Sequence, residues 1–361
     1  MQHVNNEQLR YMRHALALAK RGLGNTFPNP AVGAVIVKDG AIVGTGWTAR
    51  GGRPHAETIA IEQAGALAKG ATIYVTLEPC SHEGRTPPCT GAIIRAGIKH
   101  VVAACTDPNP KVSGQGFAQL RAAGIEVTEG VCEQEAQAVN EGFFSVIKRG
   151  RPFVTLKLAT SLDGKIATSS GESKWITCED SRRYVHHLRK INDAVMTGIG
   201  TIRADNPAFT CRLQGCSQDS PIRVIADTNL HIAADAAALP AWIMTAEGGS
   251  GKAEALTRNG ARIFTVPRAQ NGLSLPAILD QLAKQGITRL MVESGNKLGS
   301  ALLNEGLVDR IYWFRAPLVI GDKGLSALSG KEGALAALTR YRLQESRPIG
   351  SDVLEIYELS I

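Results

Sequence analysis

One histidine and two cysteines constrain this chain more than any other feature of its sequence. His55 lies in the run Pro-His-Ala-Glu, Cys80 in Glu-Pro-Cys and Cys89 in Pro-Pro-Cys. One imidazole and two thiolates are a usual ligand set for a catalytic zinc that keeps its fourth position for water. Glu57 follows His55 by two residues, so it can reach such a water without replacing a ligand and can carry its proton. The chain must fold so that these residues meet, and the pattern predicts a zinc ion that activates water.

A closed structural zinc site, or no metal at all, is the alternative interpretation. A closed site needs a fourth protein ligand, and His82 is the candidate near the two cysteines in the sequence. The intact Pro-His-Ala-Glu and Glu-Pro-Cys runs favour the open site, with His82 facing substrate. The other cysteines are predicted to be small buried hydrophobic residues: Cys105, Cys132, Cys178, Cys211 and Cys216.

Length and composition predict a two-domain protein that acts on small molecules. A chain of 361 residues exceeds the size at which one hydrophobic core stops growing. The net charge of +7 suits an anionic ligand, but the basic residues form no tract and do not alternate with aromatic residues as nucleic-acid binding requires. The sequence contains no apolar run long enough to span a membrane, and its first twenty residues contain no apolar signal region. We therefore expect a cytoplasmic protein that binds neither nucleic acid nor membrane.

The first half alternates helices with strands. Helices are predicted from a cap at Asn5 or Asn6 to about Gly22, and over residues 55–69, 90–96, 117–123 and 133–148. Strands are predicted over residues 32–37, 42–47, 71–77, 100–105 and 125–127, the first two as a hairpin. Pro54 suits a first helical turn, which places His55 and Glu57 at the start of the second helix. The pattern predicts a layered α/β domain with its site at the strand ends.

The second half begins after a charged link that contains glycine and proline, residues 148–152. Strands are predicted over residues 153–159, 194–198, 222–226, 241–245, 262–266, 289–292 and 310–319. Helices are predicted over residues 179–190, 275–285 and 297–304. The alternation indicates a second α/β domain with a mainly parallel sheet, separated from the first near residue 150.

Polar residues lie near the ends of three of these strands. They are Lys157, Asp205 and Glu293. A strand that passes through a glycine-bearing turn into a helix presents unpaired N–H groups to an anion such as a dinucleotide pyrophosphate. Gly295 and Gly299 supply such a turn after Glu293, but the chain contains no Gly-x-Gly-x-x-Gly. From the residues alone, a tight turn without a ligand is the simpler interpretation.

Several longer runs make the chain resemble the bifunctional riboflavin-biosynthesis deaminase-reductases. The first half carries Cys-Ser-His-Glu-Gly-Arg-Thr-Pro-Pro-Cys, which departs from the two-residue cysteine spacing usual in zinc-dependent nucleobase deaminases. The second half carries Lys-Leu-Ala-Thr-Ser-Leu-Asp-Gly-Lys, Gly-Glu-Ser-Lys-Trp-Ile-Thr, Arg-Ala-Asp-Asn-Pro and Glu-Ser-Gly in that order. The resemblance implies a cytidine-deaminase-like three-layer α/β domain over residues 1–150, followed by a dihydrofolate-reductase-like α/β domain over residues 151–361.

The resemblance also implies an activity for each domain. The first would hydrolyse an amino group from 2,5-diamino-6-ribosylamino-4(3H)-pyrimidinone 5′-phosphate with zinc, and the second would reduce the ribosyl group of the product to a ribityl chain with NADPH. In the first domain it implies substrate contacts at Asn29, Ser81 and His82, with Arg85 and Asn109 at the rim of the pocket.

In the second domain the resemblance assigns most of the site. The implied dinucleotide contacts are Ala159, Trp175, Thr201, Asp205, Thr228, Gly295, Asn296, Lys297, Leu298, Gly299, Ser300 and Ala301. The implied substrate contacts are Ser173, Arg189, Phe209, Arg212 and Glu293. Arg189 and Arg212 would clamp the phosphate, since a guanidinium binds phosphate through two hydrogen bonds. Lys157, Asp205 and Glu293 would orient the sugar and relay a proton.

Two other functions compete with this interpretation. The deaminase could act on RNA, with the second half as a binding module, and binding would then weaken steeply with salt. A zinc-stabilised regulatory protein that senses a nucleotide would release no ammonia over repeated turnovers. We expect a small phosphorylated pyrimidine as the ligand and a homo-oligomer as the assembly.

Overall fold

A computed structural model of the chain describes residues 5–84, 87–110, 112–248, 251–330, 333–334 and 338–360. The chain divides into two compact units, Met1–Gly150 and Arg151–Ile361. Arg85, which the family resemblance places at the pocket rim, lies outside the described residues.

The first unit is a five-stranded sheet with helices packed on it. Its helices are α1 (Asn6–Lys20), α2 (Ala56–Ala64), α3 (Cys89–Arg95), α4 (Gln115–Ala122), α5 (Glu133–Val139) and α6 (Glu141–Arg149). Its strands are β1 (Gly33–Lys38), β2 (Ala41–Trp47), β3 (Thr72–Val75), β4 (His100–Ala103) and β5 (Glu126–Thr128). The strand order is β2-β1-β3-β4-β5. Strand β1 is antiparallel to β2 and β3, whereas β3, β4 and β5 are parallel.

Glycines on β1 and β2 allow two helices to pack closely against the sheet. A Cβ on Gly33 would lie 1.9 Å from the Ala15 carbonyl oxygen of α1, and a Cβ on Gly46 would lie 2.3 Å from the Ala56 carbonyl oxygen of α2. Helix α1 begins with a reciprocal cap, in which Asn5 Oδ1 accepts from Gln8 N at 2.8 Å and the Gln8 side chain accepts from Asn5 N. The close packing fixes the start of α2, which carries the proposed zinc chemistry.

The second unit contains a nine-stranded sheet and further short strand pairs within the described residues. Its helices are α7 (Glu179–Lys190), α8 (Ile199–Asp205), α9 (Gly251–Arg258), α10 (Leu275–Lys284) and α11 (Asn296–Asn304). Its strands are β6 (Phe153–Thr160), β7 (Lys165–Ala167), β8 (Ala194–Gly198), β9 (Ile222–Ala226), β10 (Trp242–Thr245), β11 (Arg262–Thr265), β12 (Arg268–Ala269), β13 (Gly272–Leu273), β14 (Arg289–Val292), β15 (Arg310–Arg315), β16 (Leu325–Ser326), β17 (Tyr341–Ile349) and β18 (Asp352–Leu359).

The large sheet is parallel except at one end. Its order is β11-β10-β9-β8-β14-β6-β15-β18-β17, and the antiparallel pairs are β15 with β18 and β18 with β17. Parallel strands place their carboxyl ends on one edge, where α8 follows β8 and α11 follows β14. Ligands of open parallel sheets bind at this edge. The architecture therefore directs the polar residues after β6, β8 and β14 towards a common region.

Several predicted bounds match the structure and others do not. The strands over 194–198, 222–226 and 289–292 and the helix over 179–190 have the predicted bounds. The predicted helix over 55–69 ends at Ala64 and continues as a short 3₁₀ segment, since Gly65 takes φ of 53°. His55 is the N-cap of that helix, so Pro54 precedes the helix and does not occupy its first turn. The predicted helix over 133–148 is divided at Asn140, whose φ of −103° departs from helical geometry.

Candidate active sites

The predicted zinc residues come together in the first unit. His55 Nδ1 lies 3.2 Å from Cys89 Sγ and 3.7 Å from Cys80 Sγ. One ligand atom from each of the three residues lies within 4.8 Å of the others. Tetrahedral zinc with ligands at about 2.0–2.3 Å separates its ligand atoms by about 3.5 Å. The spacing and the nitrogen and sulfur donors therefore fit zinc.

Local structure explains why these three side chains converge. His55 occupies the N-cap position of α2, Cys80 follows β3, and Cys89 is the first residue of α3. The Cys89 backbone N–H also donates to Cys80 Sγ at 3.3 Å. Helix starts present N–H groups and a positive dipole end, which favour a thiolate nearby. His82 is exposed and does not belong to the cluster among the described residues, so the geometry is that of three protein ligands.

The protonation of the two thiols is strongly linked. Hydrogen bonding from Cys89 and from His55 lowers the pKa of Cys80 to about 4, although burial opposes this shift. Hydrogen bonding to Cys80 and burial raise the pKa of Cys89. The pair therefore favours one thiolate that accepts from the other thiol. Metal binding replaces the shared proton, since zinc binds the thiolate form.

Glu57 occupies the second residue of α2 and is only 4% exposed. Burial raises the pKa of its carboxyl group, and the negative charge of Cys80 adds to the increase. A carboxyl group whose charged form is destabilised by burial can take up a proton more readily than an exposed one. Glu57 thus has the position and the environment of a proton carrier beside the three-residue cluster.

Asn29 is held close to the backbone of another loop. Its amide Nδ2 donates to the Gly52 carbonyl oxygen at 3.1 Å, and a Cβ on Gly52 would lie 2.0 Å from Nδ2. Gly52 also takes φ of +82°, a conformation that glycine adopts without strain. The Asn29 amide is therefore fixed by a neighbour that must be glycine.

Sequence reasoning missed the part that Glu78 plays beside this cluster. Its buried carboxylate accepts backbone N–H groups from Asp107 at 3.1 Å, Gly114 at 3.0 Å and Gly116 at 2.9 Å. The segment that it holds includes Asn109, whose backbone N–H donates to Asp107 Oδ1 at 2.8 Å. Glu78 belongs to the Glu-Pro-Cys run, but the groups that it contacts are distant in sequence. Ser81 is half-buried beside Cys80.

The second unit contains a cavity of about 250 Å³ at the carboxyl edge of its sheet. Eight of the predicted site residues line it: Lys157, Ala159, Ser173, Trp175, Arg189, Asp205, Arg212 and Glu293. They come from β6, α7, α8, the end of β14 and the loops between them. Sequence reasoning did not single out four other lining residues with polar side chains: Lys174, Thr177, Arg182 and His186.

Glu293 is the buried centre of this cavity. Its carboxylate accepts from Arg189 Nε at 2.6 Å and Arg189 Nη2 at 3.0 Å, and Lys157 Nζ lies 3.8 Å away. Burial acts to raise the pKa of Glu293, but Arg189 and Lys157 together hold it below its ordinary value. Burial lowers the pKa of the Lys157 ammonium, although Glu293 opposes the shift. The arrangement keeps a carboxylate charged inside the protein and makes Lys157 a better proton donor than an exposed lysine.

Arg189 and Arg212, the predicted phosphate clamps, differ in their surroundings. Arg189 makes the two bonds to Glu293, donates Nη1 to the Thr210 carbonyl oxygen at 3.0 Å, and stacks over the Phe209 ring. Arg212 is exposed at the cavity and bonds through Nε to His186. Arg189 therefore neutralises and holds the Glu293 carboxylate, whereas the exposed Arg212 is better placed to bind a ligand.

The neighbouring turn after β14 fits an anionic dinucleotide. Helix α11 begins at Asn296 after Gly295, and no side chain caps its first turn. The Gly295 N–H donates to Thr201 Oγ1 of α8 at 3.3 Å. The buried hydroxyls of Thr197 and Ser294, at the ends of β8 and β14, have no hydrogen-bond partner among the described residues. This edge therefore offers uncapped N–H groups and unsatisfied hydroxyls to a polar ligand.

The other predicted dinucleotide residues lie on this turn, on α11 and after β9. Leu298 packs beside Gly198, Gly299 and Ser300 are buried, and Lys297 is exposed. The side chains of Asn296 and Ser300 are already bonded within the protein, to Ser326 and Ser329. Thr228 follows β9, and its carbonyl oxygen accepts from Ala246 N and Thr245 Oγ1. Ala301 is half-buried on α11.

Comparison with known proteins relates both units to one family. A family model described as "RibD C-terminal domain" matches residues 152–354, and one described as "Cytidine and deoxycytidylate deaminase zinc-binding region" matches residues 5–105. The riboflavin biosynthesis protein RibD of Aquifex aeolicus is 45% identical over 353 residues, covering 96% of this chain and 97% of that protein. The Escherichia coli RibD protein is 42% identical over 361 residues, covering 95% and 97%.

Solved structures give the same relation. Acinetobacter baumannii RibD, form 1, superposes with a TM-score of 0.90 at 39% identity, covering 98% of this chain and 99% of that one. A diaminohydroxyphosphoribosylaminopyrimidine deaminase/5-amino-6-(5-phosphoribosylamino)uracil reductase from Thermotoga maritima superposes with a TM-score of 0.88 at 37% identity, with the same coverage. The predicted fold class is confirmed for both halves. Among the described residues, no helix is both long and apolar enough to cross a bilayer.

The two half-chain matches and the full-length relatives agree with the two sites found in the structure. The chain belongs to the riboflavin biosynthesis protein RibD family, and it is a bifunctional enzyme of that pathway that joins a zinc-dependent deaminase to an NADPH-dependent reductase.

Proposed function

We propose that the first unit hydrolyses the 2-amino group of 2,5-diamino-6-ribosylamino-4(3H)-pyrimidinone 5′-phosphate, and that the second unit reduces the ribosyl group of the product to a ribityl chain. The observation that carries this proposal is the presence of both sites in one chain. The cluster of His55, Cys80 and Cys89 lies beside the buried Glu57, and the cavity at Glu293 lies beside an uncapped helix start.

In the deaminase site, His55, Cys80 and Cys89 would hold the zinc, with a water beside it. When bound, zinc lowers the pKa of that water to about 7 and so supplies a nucleophile at neutral pH. Glu57 takes the proton from the water and delivers it to the leaving amino group, so that water and the amine yield a carbonyl group and ammonia. Asn29, fixed by Gly52, binds the pyrimidine edge, with Ser81, His82 and Asn109 at the rim.

In the reductase site, the turn from Gly295 to Ala301 would hold NADPH, which when bound would supply a hydride for C1′ of the sugar. Ala159, Trp175, Thr201, Asp205 and Thr228 would contact it. Ser173, Phe209 and Arg212 bind the sugar phosphate, and Arg189 holds Glu293 in place. Lys157 donates the accompanying proton, because burial already destabilises its ammonium form. Glu293 and Asp205 orient the sugar.

The test supplies the diaminopyrimidine phosphate with NADPH and then without it, and identifies the products by mass. With NADPH the product should have lost an amino group and gained two hydrogens, and without NADPH it should only have lost the amino group. An unchanged mass without NADPH would contradict deamination of this substrate by the first unit.

Glu57→Gln separates the two activities. We expect the variant to keep its zinc, because Glu57 is not a ligand, and to lose ammonia release by a factor of about 10² or more. NADPH oxidation on supplied deaminated intermediate should continue at the original rate. Loss of both activities in a folded, zinc-loaded variant would contradict separate sites.

We further propose that the enzyme is cytoplasmic and assembles with itself. A thiolate zinc site and an NADPH-dependent step both suit a reducing compartment. Exposed apolar side chains on the second unit, Leu162, Val319 and Leu325, favour self-association. Sedimentation of the purified enzyme as a monomer at micromolar concentration would contradict the assembly.

A further inference from the structure

His186, which the sequence did not single out, makes two polar contacts through its ring. It lies on α7, and its Nδ1 is 3.0 Å from the Thr210 carbonyl oxygen. On the other side of the ring, Arg212 Nε is 3.3 Å from His186 Nε2. Both His186 and Arg212 line the cavity that contains Lys157 and Glu293.

One tautomer of His186 satisfies both of these contacts. A carbonyl oxygen accepts and an arginine N–H donates, so in that tautomer Nδ1 carries the proton and Nε2 is the acceptor. The Thr210 oxygen has two lone pairs, and Arg189 Nη1 uses the other at 3.0 Å. The Arg212 backbone N–H, 3.3 Å from Nδ1, cannot then donate to that nitrogen. In this tautomer a neutral imidazole joins the Thr210 backbone to the Arg212 guanidinium.

We propose that His186 is a positioning residue of the reductase site, which holds Arg212 through Nε so that its two terminal nitrogens bind the phosphate of the substrate. A guanidinium binds two phosphate oxygens best when its plane is fixed beforehand. The proposal rests on the proposed function, because that function supplies the phosphorylated sugar. To that function the proposal adds a residue that orients the two phosphate-binding nitrogens of Arg212.

The same contacts make the arrangement sensitive to acid. Protonation of Nε2 removes the acceptor and places an imidazolium against Arg212. The charged groups that line the cavity together with this ring are Lys157, Lys174, Arg182, Arg189, Asp205, Arg212 and Glu293. Burial lowers the pKa of His186, and Arg189 and Arg212 lower it further. His186 is therefore neutral at pH 7, and Arg212 is released only as the pH falls below the ordinary histidine pKa of about 6.5.

Two substitutions that replace the imidazole by an amide test the roles of the two ring nitrogens one at a time. His186→Gln places an amide oxygen near Nε2, so it can accept from Arg212 Nε and cannot titrate. His186→Asn places an amide nitrogen near Nδ1, so it can donate to Thr210 but cannot reach Arg212. The readout is the ratio of kcat/KM for the phosphorylated intermediate to kcat/KM for the same compound without phosphate. The value of kcat/KM for the compound without phosphate reports that the second unit of each variant is folded and still binds NADPH.

At pH 8 we expect His186→Asn to lower this ratio about tenfold through KM, the size expected for a lost hydrogen bond to a charged group, and His186→Gln to retain it. Below pH 6 the ratio should fall more for the wild-type enzyme than for His186→Gln. Titration of the substrate phosphate affects both enzymes equally, so it does not produce this difference. In an Arg212→Ala background, His186→Asn should have no further effect on the ratio.

An unchanged ratio in His186→Asn, or the same fall with acid in His186→Gln as in wild type, would overturn the proposal. If the wild-type enzyme does not reduce the phosphorylated intermediate with NADPH, the proposed function fails instead. The affinity for ribose 5-phosphate, measured by calorimetry in the same three proteins, then decides the role of His186. Equal affinities would overturn it, and an affinity weakened only in His186→Asn would support it.

Discussion

At the scale of single residues, the reductase cavity depends on a carboxylate that is buried against two cations. Glu293→Gln leaves Arg189 and Lys157 without their countercharge, and we expect the free energy of unfolding of the second unit to fall by about 3–5 kcal/mol. Urea unfolding monitored by tryptophan fluorescence measures this change. Glu345→Gln is the matched control, because it breaks an exposed pair with Arg347 and should cost under about 1 kcal/mol.

The same substitution has a pH signature. The pKa of Glu293 is lower in the folded state than in the unfolded chain, so its stabilising effect is complete above the ordinary glutamate pKa and disappears as the pH falls through the lowered value. The difference in stability between wild type and Glu293→Gln should therefore be constant near pH 7 and shrink below about pH 4.5. A difference that grows as the pH falls would contradict the ion pairing.

Glu78 provides a second residue-scale prediction, for the deaminase. Both of its oxygens accept backbone N–H groups, so Glu78→Gln would turn an amide NH₂ towards a donor. We expect a loss of about 1–3 kcal/mol in the stability of the first unit and a lower rate of ammonia release, with NADPH oxidation unchanged. Glu62→Gln, exposed on α2, is the control. Wild-type ammonia release by Glu78→Gln would show that the loop from Asp107 to Gly116 needs no such anchor.

Residue chemistry predicted some of these roles and not others. His55, Cys80 and Cys89 could be selected from the sequence because few residue types bind zinc and their spacing is distinctive, and the structure brings them within 4.8 Å of one another. Glu78 and His186 could not be selected in that way. Their partners are backbone groups and an arginine far along the chain, which become neighbours only when the loops are folded.

At the scale of elements, the position of α2 depends on a glycine in β2. In Gly46→Ala the new methyl group would overlap the Ala56 carbonyl oxygen and lie 2.8 Å from Ala60 N. We expect α2 to shift, at a cost of about 1–3 kcal/mol, and to move His55 and Glu57 with it. Zinc content per chain and the rate of ammonia release should both fall. Ile42→Ala on the exposed face of β2 should leave both unchanged, and unchanged zinc content in Gly46→Ala would contradict this role of the glycine.

Elements with a clear hydrophobic pattern were predicted with bounds close to those observed. Strands β8, β9 and β14 are short apolar runs, and α7 begins and ends where predicted. The hairpin of β17 and β18 was missed, because β17 is an edge strand whose residues are mostly exposed and show no clear alternation. Helix α8 was missed because its seven residues include glycine and offer one buried side chain, Ile202.

At the scale of the whole molecule, the chain combines two units that have separate hydrophobic cores. The first core includes α1 and the central strands of the five-stranded sheet, whereas the second unit packs its clusters around the large sheet. Each unit carries its own proposed chemistry, with the zinc ligands confined to the first and the cavity residues to the second. A change that reaches one site through its own ligands should therefore leave the other active.

Removal of zinc tests this separation in the intact enzyme. Prolonged dialysis against a strong chelator should abolish ammonia release, because His55, Cys80 and Cys89 then share protons and no longer acidify a water. It should also lower the melting temperature of the first unit, since a ligand that binds the folded state stabilises it. NADPH oxidation on supplied deaminated intermediate should remain within roughly twofold of its starting rate, which corresponds to a change of less than about 0.5 kcal/mol in the activation barrier.

Added zinc should restore ammonia release, whereas added magnesium, which prefers oxygen ligands, should not. Full deaminase activity in metal-free enzyme would contradict the proposed chemistry, and loss of NADPH oxidation with the zinc would contradict the independence of the two sites.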